Sequence, residues 1–152
     1  MVAWGDVASA APAFAAAVRA RFAIRKHATL ATLRRDGSPR ISGSEVEFGD
    51  DGNLYVGMMP GSRKAFDLRR DPRLAIHSPT VDPPADDAAS WPGEAKIAGA
   101  AVEVSDRTRT DLPHRFRIEI GEVVLTTISP DGSRLVIEPW NPERGLERRE
   151  RA

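Results

Sequence analysis

Segments in which apolar and polar residues alternate, separated by glycine-containing turns, constrain the fold of this chain more than any other feature. Residues 28–35 and 39–48 have a period of two, and Asp36-Gly37 between them is typical of a tight hairpin turn. Other strand-like segments are residues 54–58, 74–77, 94–104, 116–128 and 135–138. Because hairpins join antiparallel neighbours, the sequence predicts a mainly β fold, with six or seven antiparallel strands in a small barrel closed by helices.

Two helices are predicted to flank these strands. Residues 12–25 are rich in alanine, and their larger apolar side chains recur at i, i+4 and i+8, which predicts an amphipathic helix that begins at Pro12. Those side chains are Phe14, Val18 and Phe22. A shorter helix is predicted after the Pro60-Gly61 turn, with Ser62 as its N-cap and Asp71-Pro72 as its end.

Length and composition indicate one domain. The 152 residues are divided into an N-terminal helical part (1–27), the barrel, and a charged C-terminal tail (140–152). With 22 basic and 22 acidic residues the formal charge is zero, so neither nucleic acid nor a membrane is an expected partner. The absence of cysteine excludes disulfides and zinc–thiolate sites and fits a reducing compartment, so we expect a cytoplasmic protein.

Two cations occupy an unusual place at the start of the short helix. Arg63 and Lys64 follow Ser62 directly, whereas the positive end of a helix dipole normally attracts acidic residues. A bound anion would offset both charges, because free amides, the dipole and two cationic side chains would hold it together. The alternative is that both side chains extend into water.

Small and polar residues interrupt one predicted strand. Ser42-Gly43-Ser44 lies in the middle of residues 39–48, where a packed sheet normally carries larger side chains. A glycine inside a strand marks a bulge or a close approach by a ligand, and a solvent-facing edge strand is the alternative. Residues 79–92, which include Trp91, are rich in proline and acids and predict a long surface loop.

Self-sufficient catalytic motifs are absent from the sequence. It contains no nucleophile elbow, no phosphate-binding loop of the Walker type and no dinucleotide fingerprint. The three histidines show no metal-binding spacing, so no metal site is expected, and each histidine is predicted at a strand end or on the surface. They are His27, His77 and His114. This composition favours a domain that binds a cofactor.

Several of these segments, in this order, resemble the pyridoxamine 5'-phosphate oxidase-like split β-barrel family of flavin and deazaflavin oxidoreductases. The resemblance is carried by the hairpin ATLATLRRDGSPR, by LYVGMMPGSRKA and the following DPRLAI, and by the strand GEAKIAGAAVEV. It covers approximately residues 22–140. It implies a homodimer of split barrels, with an FMN or a similar cofactor in each of two grooves between the chains.

The resemblance also implies which residues contact that cofactor. The Ser-Arg-Lys turn and a basic residue of the second strand would hold the phosphate, and residues 56–59 would lie along the ring. Trp140 resembles an aromatic residue near the ring, and Glu94 stands where the family's oxidase has a glutamine that contacts the flavin. The full set of cofactor-binding residues is Arg40, Val56, Gly57, Met58, Met59, Ser62, Arg63, Lys64, Glu94 and Trp140.

The sequence also departs from the oxidase pattern. Residues 105–113 are too short and too altered to carry the family's pyridoxal phosphate-binding residues, so oxidation of pyridoxamine phosphate is not expected. The leading hypothesis is a homodimeric, FMN-binding oxidoreductase that passes a hydride to or from a small organic substrate; no catalytic residue is identified. One alternative is a deazaflavin (coenzyme F-420) reductase, whose acidic tail would use Arg69, Arg70 and Arg73. Another is a non-catalytic flavin- or haem-binding module, with His77 as the haem ligand.

Overall fold

The alternating segments form strands, as the computed structural model, which describes residues 1–152, shows. Three α-helices and nine strands follow one another along the chain. The helices are α1 (Trp4–Ala10), α2 (Pro12–Phe22) and α3 (Arg63–Arg70). The strands are β1 (His27–Leu33), β2 (Pro39–Phe48), β3 (Leu54–Met58), β4 (Arg73–His77), β5 (Glu94–Glu103), β6 (His114–Ile128), β7 (Leu135–Asn141), β8 (Gly145–Leu146) and β9 (Arg149–Arg151).

Six of these strands close into an antiparallel barrel. Their order is β3-β2-β1-β4-β5-β6, and β6 pairs with β3 to complete the circle. The predicted small antiparallel barrel is therefore confirmed. One boundary was wrong: the last strand continues beyond residue 138, and the predicted tail folds into β8 and β9, which both pair with β7.

Strand alternation places the core inside the barrel. Along β6, Phe116, Ile118 and Ile120 are almost fully buried, whereas the residues between them face outward. A bulge interrupts the β5–β6 pairing: Ala98 pairs with Glu122 and Gly99 with Ile120, which leaves Gly121 without a partner.

The two N-terminal helices cover the core. Phe14, Val18 and Phe22 of α2 are buried, as the i, i+4, i+8 spacing predicts, although the helix ends at Phe22 rather than at residue 25. The residues before Pro12 form a separate short helix, α1, because the chain breaks at Ala11, whose φ and ψ are −144° and 72°. No helix has the length and hydropathy needed to cross a membrane.

The short helix α3 lies beside the middle of β2. Its C-terminal end falls at Asp71, before Pro72, as predicted. Lys64 of α3 bonds to Ser44 of β2, and Asp67 of α3 accepts a hydrogen bond from Arg40 of β2. These two contacts fix the helix start against that strand. Residues 79–92 form the predicted loop, which contains one short 3₁₀ turn at Ala88–Ser90.

Candidate functional site

One face of β2 presents polar side chains to the start of α3. Arg40, Ser42 and Ser44 share this face because side chains alternate along a strand. At one end of this row Lys64 Nζ donates hydrogen bonds to Ser44 Oγ, at 2.6 Å, and to the Gly43 backbone oxygen, at 2.5 Å. At the other end Arg40 Nε donates to Asp67 Oδ2 at 2.6 Å. Ser42 thus lies between two points at which the strand and the helix touch.

The start of α3 carries donors that have no acceptor in the chain. The backbone amides of Gly61, Arg63 and Lys64 make no hydrogen bond. Ser62 stands at the N-cap position, with φ −62° and ψ 127°, but its hydroxyl makes no capping hydrogen bond. The expected capping bond is therefore absent, although the position of the cap is correct. The free amides that an anion requires are present.

Lys64 is a half-buried cation without a neighbouring carboxylate. Both of its hydrogen bonds go to neutral oxygens, and it makes no ion pair. Burial lowers the pKa of the Lys64 ammonium, and no nearby acid opposes this effect. A partly desolvated charge is costly unless it is paired, so an anion beside Lys64 would be stabilised there.

Asp67 is a buried carboxylate that orients two arginines. Its side chain accepts hydrogen bonds from Arg40, Arg70 and Thr32, at 2.6, 3.1 and 2.9 Å. Burial raises the pKa of the Asp67 carboxyl, but these three hydrogen bonds together hold it below its usual value. The ionised carboxylate therefore holds Arg40 by its Nε atom, and both terminal nitrogens of that guanidinium have no partner in the chain.

A first cavity beside α3, of about 500 Å³, is here called the arginine cavity. Five arginines and two aspartates line it, together with a single apolar side chain. Its wall consists of Arg34, Arg35, Asp36, Arg40, Arg63, Phe66, Asp67 and Arg70. Positive charge therefore exceeds negative charge around this space.

A second cavity, of about 510 Å³, is here called the strand cleft, and it opens where β3 ends and the chain turns away from β2. Its wall consists of His27, Gly43, Ser44, Glu45, Gly57, Met58, Met59, Pro60, Lys64 and Pro113. Consecutive residues of α3 line the two cavities, since Arg63 belongs to the arginine cavity and Lys64 to the strand cleft. The helix start therefore borders both.

Two glycines form part of the strand cleft without any structural need for glycine. Gly43 and Gly57 lie in β2 and β3, neither has a positive φ, and a Cβ added to either would meet no atom within 4 Å. Glycine inside a strand costs about 0.5–1 kcal/mol relative to alanine. Since the chain itself does not require these glycines, they are suited to the close approach of something outside it. The pairings of β2 with β1 and with β3 show no register shift, so the bulge alternative for Gly43 is excluded.

The predicted site residues fall into three groups. Arg40 and Arg63 line the arginine cavity, while Gly57, Met58, Met59 and Lys64 line the strand cleft, with Ser62 at the helix start between them. Val56 lies in the same strand, but its side chain is fully buried in the core. Glu94 and Trp140 line neither cavity.

Glu94 and Trp140 have other neighbours in the single chain. Glu94 lies at the start of β5, 3.5 Å from His77 and 3.6 Å from Lys96. Trp140 is 4% exposed and packs in the core. No contact within one chain brings either side chain to the cavities, so their assignment to the cofactor stays a prediction.

Sequence reasoning missed several residues that shape the site. Asp67 and its partner Arg40 are 27 residues apart, and no local pattern links them. Arg34 and Arg35 join the cavity only because the β1–β2 turn lies beside α3. All three arginines expected to serve an acidic tail are already paired, Arg69 with Glu103, Arg70 with Asp67 and Arg73 with Asp71. His114 begins β6, as expected for a strand end, but it is buried.

Solved structures share this fold at low sequence identity. A pyridoxamine 5'-phosphate oxidase-related, FMN-binding protein from Nostoc punctiforme PCC 73102 has a TM-score of 0.65 and 12% identity, with 93% of this chain and 96% of that chain covered. PhzG from Burkholderia lata 383, solved in complex with tetrahydrophenazine-1-carboxylic acid, has a TM-score of 0.62 and 15% identity, with 92% and 88% covered. An F420 reductase has a TM-score of 0.50 and 11% identity, with 69% and 94% covered.

Sequence comparison gives the family. No protein of curated function matches this chain. The family model for pyridoxamine 5'-phosphate oxidase matches residues 14–138, which span the barrel from α2 to β7 and include both cavities. The closed barrel, the order of its strands and this match agree, and the chain belongs to the pyridoxamine 5'-phosphate oxidase-like family of flavin-binding split barrels.

Proposed function

We propose that this protein binds FMN and acts as an oxidoreductase that passes a hydride between the flavin ring and a small organic substrate. The observation that carries the proposal is the unpaired cation at the start of α3. Lys64 is partly desolvated, lacks a carboxylate partner, and lies beside free backbone amides. A phosphate would supply the missing negative charge and accept those hydrogen bonds.

The donor set fits a phosphate monoester. Guanidinium groups bind phosphate through paired hydrogen bonds, and Asp67 leaves both terminal nitrogens of Arg40 free for this purpose. Arg63, Lys64 and the Ser62 hydroxyl would complete the phosphate site from the helix side. Because Asp67 and Ser44 hold two of these cations in place, little side-chain entropy remains to be lost on binding.

The strand cleft is suited to the flat ring. Gly43 and Gly57 leave two stretches of backbone uncovered, so a planar group can approach them closely. Met58 is buried behind this surface, and Met59 is 79% exposed at its edge. The bound flavin would supply the hydride chemistry, while the protein positions the ring and limits water around it.

We also propose a homodimer with the cofactor groove at its interface. The outer face of the sheet β2-β1-β4-β5 carries a row of apolar side chains that runs across the four strands. In this row Ile41 pairs with Ala31, Ala31 with Ala75, and Ala75 with Ala98. Ile41 is 74% exposed in the single chain. A second chain packed on this face would enclose the neighbouring strand cleft, and Glu94 lies on β5 within the same face.

A double substitution tests the proposal. We expect Arg63→Ala with Lys64→Ala to weaken FMN binding at least tenfold without unfolding the protein. Neither side chain makes an ion pair within the protein, although losing the two Lys64 hydrogen bonds should lower the unfolding temperature somewhat. Flavin fluorescence quenching measures the affinity. Arg73→Ala is the matched control, since Arg73 is an exposed cation near α3 that lines neither cavity. Equal FMN affinity in the double variant and the wild type would contradict the assignment.

A deazaflavin cofactor is the second candidate. The fold likeness to an F420 reductase favours it, and its phosphate would use the same cations. Parallel titrations of the apoprotein with FMN and with coenzyme F-420 decide between the two, and tighter binding of the deazaflavin would replace FMN in the proposal. A Soret band after reconstitution with haem would instead support the haem-binding module, with His77→Ala as the variant that removes its ligand.

A further inference from the structure

The arginine cavity holds more positive charge than one phosphate requires. Five arginines and two aspartates line it, whereas the proposed phosphate site uses only Arg40 and Arg63 of the five. The other three are Arg34, Arg35 and Arg70. The chain as a whole has no net charge, so this concentration of arginines is a local feature of one surface.

Neither aspartate neutralises these three arginines fully. Asp36 accepts hydrogen bonds from the backbone amide and the hydroxyl of Ser38, which lower the pKa of its carboxyl and bind it within the hairpin turn. Asp67 is shared between Arg40 and Arg70. The Asp67 carboxylate therefore pairs with two guanidinium groups, and the Asp36 carboxylate forms no ion pair.

Hydrogen bonds within the chain orient two of these arginines but leave some nitrogens of each guanidinium group without a partner. Arg34 donates from Nη1 to the Pro39 backbone oxygen at 3.0 Å, and Arg70 donates from Nη2 to the Leu33 backbone oxygen at 2.6 Å. The remaining nitrogens of both guanidinium groups have no partner in the chain. The side chains of Arg35 and Arg63 make no hydrogen bond within the chain. Donors that are already oriented bind an anion at a smaller entropic cost.

From this arrangement we infer that the arginine cavity binds a second anionic group, a phosphate or a carboxylate, between α3 and the β1–β2 turn and beside the phosphate of the cofactor. The inference rests on the proposed function for the first group only. Inorganic pyrophosphate is the probe, because it carries two linked phosphates and no ring. Phe66 is the single apolar side chain of the wall, so charge dominates recognition there.

Calorimetric titration at fixed ionic strength tests the inference. We expect pyrophosphate to bind the purified protein at least tenfold more tightly than orthophosphate, and Arg35→Gln to lower pyrophosphate affinity about tenfold, as the loss of a charge-assisted hydrogen bond implies. Arg35 has no partner in the chain, so this variant should fold normally. Arg73→Gln is the control and should keep wild-type affinity. Equal binding of the two anions, or equal loss in both variants, would overturn the inference.

FMN separates this inference from the proposed function. Arg35→Gln should retain wild-type FMN affinity, whereas the Arg63/Lys64 double variant should lose it. If FMN binds and pyrophosphate does not, the inference fails while the proposed function stands. If pyrophosphate binds and FMN does not, the proposed function fails while the anion site stands.

A last comparison identifies the source of the second group. Binding of pyrophosphate to the FMN-saturated protein would assign the cavity to a separate anionic substrate. Exclusion of pyrophosphate by FAD, together with tighter binding of FAD than of FMN that depends on Arg35, would place both anionic groups on one cofactor. Either result supports a second anion site. If the binding of pyrophosphate and of FAD were both independent of Arg35, the inference of a second anion site would fail.

Discussion

Single glycines distinguish what the fold needs from what a ligand needs. Gly57 has open space where a Cβ would lie, so Gly57→Ala should leave the free energy of unfolding unchanged or raise it by about 0.5–1 kcal/mol. The added methyl group would occupy the surface proposed for the ring, and FMN affinity should fall about tenfold, a loss comparable to misplacing one good contact. Urea unfolding and flavin fluorescence measure the two effects on the same samples.

Gly99 provides the opposite control. A Cβ at this position would collide with the backbone oxygen of Glu119 at the bulge, and overpacking of this kind costs about 1–3 kcal/mol. Gly99→Ala should therefore destabilise the protein, and any loss of FMN binding should follow from unfolding. If Gly57→Ala destabilised the protein to the same degree, the strand glycines would be structural and the ring site would lose its support.

Asp67 should make stability depend on pH. Although burial raises the pKa of its carboxyl, the hydrogen bonds from Arg40, Arg70 and Thr32 leave it lowered in the folded protein. A lowered folded-state pKa stabilises the protein above the unfolded-state value of about 3.9, and this contribution is lost as the pH falls through the folded-state pKa. Asp67→Asn should lower the free energy of unfolding by about 2–3 kcal/mol at neutral pH. This loss is smaller than that for breaking a fully buried ion pair, because Arg40 and Arg70 are both partly exposed.

Acid unfolding checks this expectation. The difference in stability between wild type and Asp67→Asn should be constant near neutral pH and should shrink below pH 4. The other carboxylates with lowered pKa values remain in both proteins, so the difference isolates Asp67. A difference that did not change with pH would mean that Asp67 acts through packing rather than through its charge.

The sequence predicted the cations of the site but not the group that positions them. Arg63 and Lys64 were identifiable because their place at a helix start violates a local electrostatic rule. Asp67 gives no such signal, because its role depends on Arg40 and Thr32, which reach it only after β1, β2 and α3 have packed. Local rules identify residues in unusual positions, while their partners require the fold.

At the scale of elements, a second buried ion pair anchors the other end of α3. Arg69 donates two hydrogen bonds of 2.8 Å to Glu103 of β5, and His114 of β6 lies 3.5 Å from the same carboxylate. The hydrogen bonds from Arg69 lower the pKa of the Glu103 carboxyl despite its burial. The helix is therefore tied to β2 through Asp67 and to β5 and β6 through Arg69.

Glu103→Gln should loosen this anchor. Removing one partner of a buried ion pair leaves a desolvated charge, so the free energy of unfolding should fall by about 3 kcal/mol. Urea unfolding measures the change. Asp71→Asn is the control: the ion pair of Asp71 with Arg73 lies largely in solvent, so removing this pair should barely move the unfolding midpoint. An unchanged midpoint in Glu103→Gln would show that packing of Leu68 and Ala65, both buried, is sufficient to hold α3.

Strand positions were more predictable than the short terminal elements. The bounds of β2 and β3 agree with the alternation of their residues, because one face of β3 is buried and one face of β2 is less exposed than the other, so the period of two is visible. The strands β8 and β9 contain two and three residues, and their pairing with β7 is a tertiary effect. Likewise α1 has seven residues and depends on the burial of Trp4 and Val7.

The architecture of the whole molecule determines where a ligand can bind. A closed barrel of six strands is filled by its own side chains, so a ligand must lie on the outer surface or between copies of the chain. The sequence predicted this architecture through its hairpin turns. It could not show which outer face is apolar, because that depends on the register of four strands, in which Ile41, Ala31, Ala75 and Ala98 fall in one row.

That row leads to a prediction about assembly. We expect the wild-type protein to elute as a dimer in size-exclusion chromatography with light scattering, and Ile41→Lys to elute as a monomer, because the charge would be buried at the interface between chains. Ile41 is 74% exposed in the single chain, so the substitution should leave the fold of the monomer intact. Leu146→Lys, an exposed apolar position on β8 outside this face, should remain dimeric. If Ile41→Lys stayed dimeric, the chains would meet through another surface, and the strand cleft would have to bind the flavin without the second chain.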